Sequence, residues 1–283
     1  MEIKSAKEAL TFLYALSLNK TNLRFRGQAN NDWSIKPSIY RFSNFLRYQT
    51  ALFEKYILEA KPPKIETPLI HTDFELEWLM TCQHYGIPTR LMDWSTDILS
   101  ALFFACYEEE ELKNNGAIYV CNQDEYPLFN KYDESLVNSQ ELAFISTNLT
   151  NPRMRSQSGC FMIWGISPID NTTETYDLLQ YQQLKGNSFF LKKLIIPSDS
   201  KQNILKELEL IYSISHDSMY LKNGYLEKKY ANNFKILKEG VRLKTLYQTN
   251  TEQLSEVEEK SLDIIYKGCF KNMYKDCVNL RYL

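Results

Sequence analysis

The sequence predicts an α+β domain, with helices concentrated in its first hundred residues and strands gathered after them. Three observations carry that expectation. Helix-start signals stand before apolar-periodic stretches at Ser5-Ala6-Lys7-Glu8, Thr72-Asp73-Phe74-Glu75 and Ser95-Thr96-Asp97. Short runs rich in aromatic and β-branched residues cluster between residues 117 and 196. Strands and helices do not alternate regularly, which argues against a doubly wound parallel sheet.

The elements follow in order. Ser5 opens an N-terminal helix within residues 1–19. In the stretch Asn22 to Arg26, Leu23 and Phe25 face one way while Arg24 and Arg26 face the other, a short strand that Gly27 ends. Asn30-Asn31-Asp32 reads as a turn, and Phe42 to Ala60 as a long helix stopped before Pro62-Pro63. The helix that starts at Thr72 runs to about Tyr85, with Gly86 as its stop. Ile98 to Tyr107 is apolar nearly all round, so that helix is expected at the centre of the core. Strands are expected at 117–121, 142–146, 159–166 and 189–196, an amphipathic helix at 203–212, and one more strand near 242–247. These elements group into the N-terminal helix, one domain over 20–235, and a C-terminal extension, 236–283, packed on that domain.

Composition narrows the class. The 283 residues are 44% hydrophobic and 13% aromatic, enough for a packed core and inconsistent with a disordered chain. A net charge of −2 gives no global field to draw in nucleic acid or an anionic membrane. The six cysteines have no C-x-x-C spacing, and several sit in apolar runs, as reduced core thiols do. The N-terminal MEIKSAKEAL lacks the apolar stretch of a signal peptide, and the longest uncharged run is too short to span a membrane. A soluble, cytoplasmic protein is expected.

Three polar stretches are candidates for chemistry. In Arg24-Phe25-Arg26-Gly27-Gln28, a guanidinium fork beside a glycine suits an oxyanion, because the backbone can approach closely. The second stretch, Cys82 to Thr96, reads as a loop between two helices; it holds His84, Tyr85, Arg90, Asp93, Trp94, Ser95 and Thr96. The third, Arg153 to Phe161, places Gln157 just before a buried strand. The bland readings are an edge-strand arginine, an Arg90–Asp93 ion pair with helix caps, and a solvated loop. Phosphate-loop, dinucleotide-fold, nucleophile-elbow and zincin motifs are missing, and His71, His84 and His216 do not make a metal cluster, so no metal site is expected. Of 33 basic residues only nine are Arg, and Arg24, Arg26, Arg90, Arg153 and Arg155 fall in these stretches, where a planar fork does what Lys cannot.

Taken together, the three stretches resemble the FRG-domain family: Phe25-Arg26-Gly27-Gln28, then Gln83 to Ser95 with Ala101-Leu102-Phe103-Phe104-Ala105, then Arg153 to Phe161. A more distant resemblance is to ADP-ribosyltransferases, whose aromatic-Arg-Gly strand and aromatic-Ser-Thr element match Phe25-Arg26-Gly27 and Trp94-Ser95-Thr96. That resemblance implies a core of two packed antiparallel sheets flanked by helices, and NAD as the substrate. It implies that Arg26, Gly27, Gln28, Tyr85, Arg90, Trp94, Ser95 and Thr96 bind the dinucleotide, with Arg26, His84, Asp93 and Gln157 in catalytic roles. Gln157 stands near the position where the transferases carry a Glu, and Asp93 is the nearest carboxylate to replace it.

Between Lys222 and Lys244, basic residues interleave with Tyr220, Tyr225, Tyr230 and Phe234, a pattern that suits single-stranded nucleic acid. The family resemblance further implies a growth-arresting toxin of a phage-defence locus, held by a cognate antitoxin and a chaperone. The expected activity is NAD-dependent ADP-ribosylation of mRNA bases, which blocks translation. Two alternatives stand beside it: a nucleotide-sensing module without turnover, and a metal-dependent RNase.

Overall fold

A computed structural model describes residues 1–38, 80, 83, 89–130, 142–146, 155–164, 177–184, 186 and 190–220. The predicted helices at 42–60 and 72–85 and the strand near 242–247 lie outside these residues, apart from Met80 and Gln83, which are helical. So do His84, Tyr85, and the basic-aromatic stretch beyond Tyr220.

The described chain is a mixed α/β fold around one open seven-stranded sheet. Its strands are β1 (Leu23–Gln28), β2 (Leu91–Ser95), β3 (Gly116–Asn122), β4 (Leu128–Asn130), β5 (Ala143–Ser146), β6 (Gly159–Ile163) and β7 (Leu191–Ile196), in the order β4-β5-β6-β2-β1-β3-β7. All neighbours are antiparallel except β4 and β5. The expected pair of packed sheets is thus a single sheet here, and it comes closest to dividing between β1 and β2. β1 pairs with β3 along all six of its residues, from Leu23↔Asn122 to Gln28↔Ala117, but with β2 only at Phe25↔Ser95.

The helices are α1 (Ala6–Ser17), α2 (Ile98–Cys106), α3 (Leu178–Leu184), α4 (Lys201–Tyr212) and α5 (His216–Tyr220). α1 starts where the sequence places it: the Ser5 hydroxyl accepts from the Glu8 N–H at 3.2 Å, and Glu8 accepts from the Lys4 N–H at 2.8 Å. Residues ahead of α1 cap the edge of β7, where the Ile3 N–H reaches the Ile195 carbonyl at 2.9 Å. α2 is central and buried, as its sequence predicts. Asp97 is its N-cap, accepting from the N–H groups of Leu99 and Ser100 at 3.1 and 2.8 Å. Ile98, Leu102 and Phe103 of α2 pack with Phe25, Val120, Leu194 and Leu208 to form the core on one face of the sheet. Burying each such side chain contributes roughly 1.5–3 kcal/mol.

Glycine and alanine set how closely α2 approaches the sheet. A Cβ on Gly27 would lie 1.9 Å from the Ala101 carbonyl oxygen, and one on Gly116 would lie 2.3 Å from that of Ala105. Gly27 therefore does not end β1, which runs on to Gln28. It makes room for the helix, whose small residues at i and i+4 face it.

β2 corrects the reading of Cys82 to Thr96 as a loop. Leu91, Met92, Trp94 and Ser95 are buried and only Asp93 is exposed. A five-residue strand buried on both faces has no alternation to betray it, and its one acidic residue made it look like a polar loop. β4, α3 and α5 are likewise absent from the sequence-based expectations, each being seven residues or fewer.

Candidate functional site

Where β1 leaves β2, a cavity of about 350 Å³ opens. Phe25 to Gln28 of β1, with Ala29 just after them, form one side. Asp93, Trp94 and Ser95 of β2 and Gly159, Cys160 and Phe161 of β6 form another. One stripe of α2, with the residues just after it, closes a third side through Ala101, Phe104, Tyr107 and Glu108.

Arg26 bridges the opening. Its Nη1 donates to the Asp93 carbonyl at 2.5 Å, so a guanidinium occupies the gap where the ladder between β1 and β2 stops. The Asp93 carboxylate accepts from Gln83 Nε2 at 2.8 Å, and Gln83 Oε1 in turn accepts from the Thr89 hydroxyl at 2.8 Å. That chain holds Asp93 at the rim of the cavity. Gln28 is only 3% exposed; its Nε2 donates to the Ser34 carbonyl at 3.3 Å, while its buried Oε1 has no partner among the described residues. Leaving such an acceptor unmet costs about 1–3 kcal/mol.

Ser95 and Gln157 shape the floor. The Ser95 hydroxyl donates to the Gln157 carbonyl at 2.9 Å and accepts from the Asp97 N–H at 3.0 Å, tying β2, the 157–158 turn and the start of α2 together. Ser158 sits in the left-handed region at φ 47°, and its carbonyl accepts from the Thr96 N–H at 2.9 Å. Such a conformation in a non-glycine residue costs on the order of 1 kcal/mol and is held by these bonds. Gln157 Nε2 donates to the Met219 carbonyl at 3.1 Å, and the Ser156 hydroxyl reaches the same oxygen at 3.2 Å. Helix α5 is thereby pinned against the cavity.

The structure thus brings together Arg26, Gly27, Gln28, Asp93, Trp94, Ser95 and Gln157 of the sequence-predicted residues. It assigns several of them different work. Gly27 serves the packing of α2. The Trp94 ring, 3% exposed, packs edge-on to Phe144 at 6.0 Å and presents no stacking face to a ligand. Arg90 lies away from the cavity: fully buried, it donates through Nη1 to the Trp164 carbonyl at 2.6 Å. It makes no ion pair with Asp93. Thr96 also stays off the cavity lining, bonded to the Ser158 carbonyl at 3.3 Å. His84 and Tyr85 lie outside the described residues.

Cys160 lines the cavity, but burial pushes its thiol up to about 12 despite the Arg24 guanidinium nearby, which disfavours the reactive thiolate. Burial likewise raises Cys106 to about 12 and Cys121 well above the usual thiol value, as expected of core thiols. Among the described residues no group of three or more His, Cys, Asp or Glu is placed to hold a metal, and no helix is long and apolar enough to cross a membrane.

The sequence reading missed the aromatic side of the cavity. Phe104 of α2 and Tyr107, the C-cap that follows it, come three and six residues after Ala101, a signal present in the sequence. Tyr220 joins them from far along the chain, its hydroxyl donating to that of Tyr107 at 2.6 Å, and no local pattern announces that. Glu108 and Trp33 also line the cavity.

Comparison with known proteins agrees with the first half of this description. The FRG domain family model matches residues 21–114, a stretch that contains β1, β2 and α2 with the arginine, the glycine and the alanines just described. No curated protein and no solved structure matches the chain significantly.

Proposed function

We propose that this protein is an NAD-dependent ADP-ribosyltransferase that modifies RNA bases, acting in the cytoplasm as a defence toxin restrained by an antitoxin. The observation that carries this reading is the opened junction between β1 and β2. There a strand edge and the Arg26 guanidinium face one cavity, which Gln28 also lines. A carboxamide matches a free strand edge, since it offers one N–H and one C=O as another strand would. A diphosphate matches a guanidinium fork. NAD carries both groups.

Cleaving the nicotinamide–ribose bond builds positive charge on the ribose, as in glycoside hydrolysis. Asp93, held at the rim through Gln83, is placed to stabilise that charge. Arg26 orients the dinucleotide, and Ser95 sets the floor against which the ribose rests. Gln157 contributes no charge; it positions α5. In the test, purified protein is incubated with adenylate-labelled NAD and total RNA. Label enters RNA with the wild-type chain and falls at least 100-fold with Arg26→Ala. Equal labelling by both proteins overturns the reading.

The second reading, a nucleotide-binding module without turnover, draws support from the engagement of Gln157 with Met219 where the transferases carry a glutamate. Stoichiometric NAD binding with neither transfer nor nicotinamide release would favour it.

A further inference from the structure

Beyond Gln28, its last sheet residue, β1 continues into a loop over 29–34 that carries Trp33 to the cavity. That loop is fixed at almost every residue. The ammonium of Lys201, a fully buried residue, donates to the Ala29 carbonyl at 2.6 Å and to that of Glu111 at 2.7 Å. Asn30 Nδ2 donates to the Glu111 carboxylate at 2.9 Å, and the Asn31 N–H to the Asn115 carbonyl at 2.7 Å. The Trp33 N–H closes the turn on the Asn30 carbonyl at 3.3 Å, and the Ser34 carbonyl accepts from Gln28 Nε2. The Trp33 side chain is nonetheless 37% exposed, against 3% for Trp94, the other tryptophan of the cavity. Among the described residues its indole stacks on no other ring and carries no cation. An exposed indole on a rigid mount loses little conformational freedom when a ligand ring stacks on it.

We propose that Trp33 selects oxidised NAD over its reduced form by stacking on the cationic nicotinamide ring. This assignment rests on NAD as the ligand, as in the transferase reading above. There the carboxamide lies on the open edge of β1. The bond from Gln28 to Ser34 folds the loop back beside that strand, so Trp33 and the strand edge border one space. In oxidised NAD the ring that bears the carboxamide is a planar pyridinium, and indole attracts a cation over its face more strongly than any other side chain ring. The reduced ring is neutral and contains a tetrahedral carbon, so it offers neither the charge nor the full plane. As the bond to ribose breaks, the positive charge leaves the nicotinamide ring. The contact with Trp33 therefore contributes to substrate binding and not to the chemical step.

The full-length protein is titrated calorimetrically with carba-NAD, which is not cleaved, with NADH, and with ADP-ribose, which lacks the nicotinamide. The wild-type chain binds carba-NAD about tenfold more tightly than NADH. Trp33→Leu weakens carba-NAD binding about tenfold and removes that preference, while ADP-ribose affinity stays within about threefold of wild type. Trp33→Phe, whose ring attracts a cation less strongly, falls between the two. Thermal melting reports whether each variant folds, and Trp33→Met makes the same comparison if Trp33→Leu does not. In the RNA-labelling assay Trp33→Leu raises the KM for NAD without lowering kcat. Equal carba-NAD affinity in wild type and a folded Trp33→Leu overturns the proposal. So does a matching loss of ADP-ribose affinity, which would put the adenine on the indole. RNA labelling by Trp33→Leu with a wild-type KM would sink the role of Trp33 and keep the transferase. A Trp33-dependent preference for carba-NAD with no transfer to RNA would keep that role and sink the transferase. Absence of any NAD binding by the wild-type chain overturns both.

Discussion

The two edges of β1 are built to opposite ends. Toward β3 every residue of the strand is paired, and Gly27 and Gly116 let α2 lie directly on that pair of strands. Toward β2 one residue pair holds, and beyond it an arginine side chain stands in for the ladder. The closed edge makes the open one affordable. A strand anchored on one side by a full ladder and a helix can leave its other side unpaired without losing its place. Binding chemistry then has a rigid backbone edge to work with.

Substitutions on the closed side have the largest expected effect. Gly27→Ala drives a methyl into the Ala101 carbonyl and costs about 3 kcal/mol, read as a lower denaturation midpoint with unchanged slope. A Gly27→Ala variant as stable as wild type would show that α2 does not depend on this close approach. Next comes Arg90→Met, which removes the buried guanidinium's hydrogen bond to the Trp164 carbonyl and costs about 2 kcal/mol in the same measurement. Because Arg90 is remote from the cavity, its variant should bind NAD in proportion to the folded fraction, separating support of the open side from recognition. Asp97→Ala removes the cap of α2 and is expected to cost about 1 kcal/mol.

The smallest change in stability is expected at the open edge itself. Arg26→Ala shifts folding by less than about 0.5 kcal/mol while abolishing NAD binding. A loss of several kcal/mol there would mean that the bridge to Asp93 is structural. Alkaline titration sharpens the same contrast. Cys106, Cys160 and Tyr119 ionise in the fold only near 12, above their ordinary values of 9 for the thiols and 10 for the phenol, because burial disfavours their anions. The unfolded chain gives up these protons first, so stability falls as pH rises past about 9. Burial lowers Lys201, which works in the opposite direction with a single proton. A denaturation midpoint that holds constant from pH 8 to 11 would contradict this.

Several parts of the molecule were legible because the signal is local. A hydroxyl three residues before a Glu marks the start of α1. A run of apolar residues on every side of a helix marks α2 as central, since no polar face is left to meet water. The alternation of Leu23 and Phe25 puts the arginines on the other face of β1, and Arg26 does line the cavity. The sequence could not distinguish Arg26 from Arg90. Both are arginines in polar stretches of one chain, yet one lines a cavity and the other is fully buried under a carbonyl. Nor could it separate the two uses of glycine, approach to a ligand or approach to a helix, because either demands only the absence of a Cβ.

By itself, then, the amino-acid order determined the starts of α1 and α2, the buried character of α2, and most of the described strands, and it picked out Arg26 and Gln28, which line one cavity. These follow from spacing and chemistry over a few residues. Tertiary structure alone decided that β1 and β2 part after a single pair. It also decided that the resulting cavity gathers Glu108, Tyr107 and Tyr220 from segments more than a hundred residues apart. Pairing between strands, and the place where pairing stops, depends on the twist and packing of the whole sheet, which no short window of sequence contains.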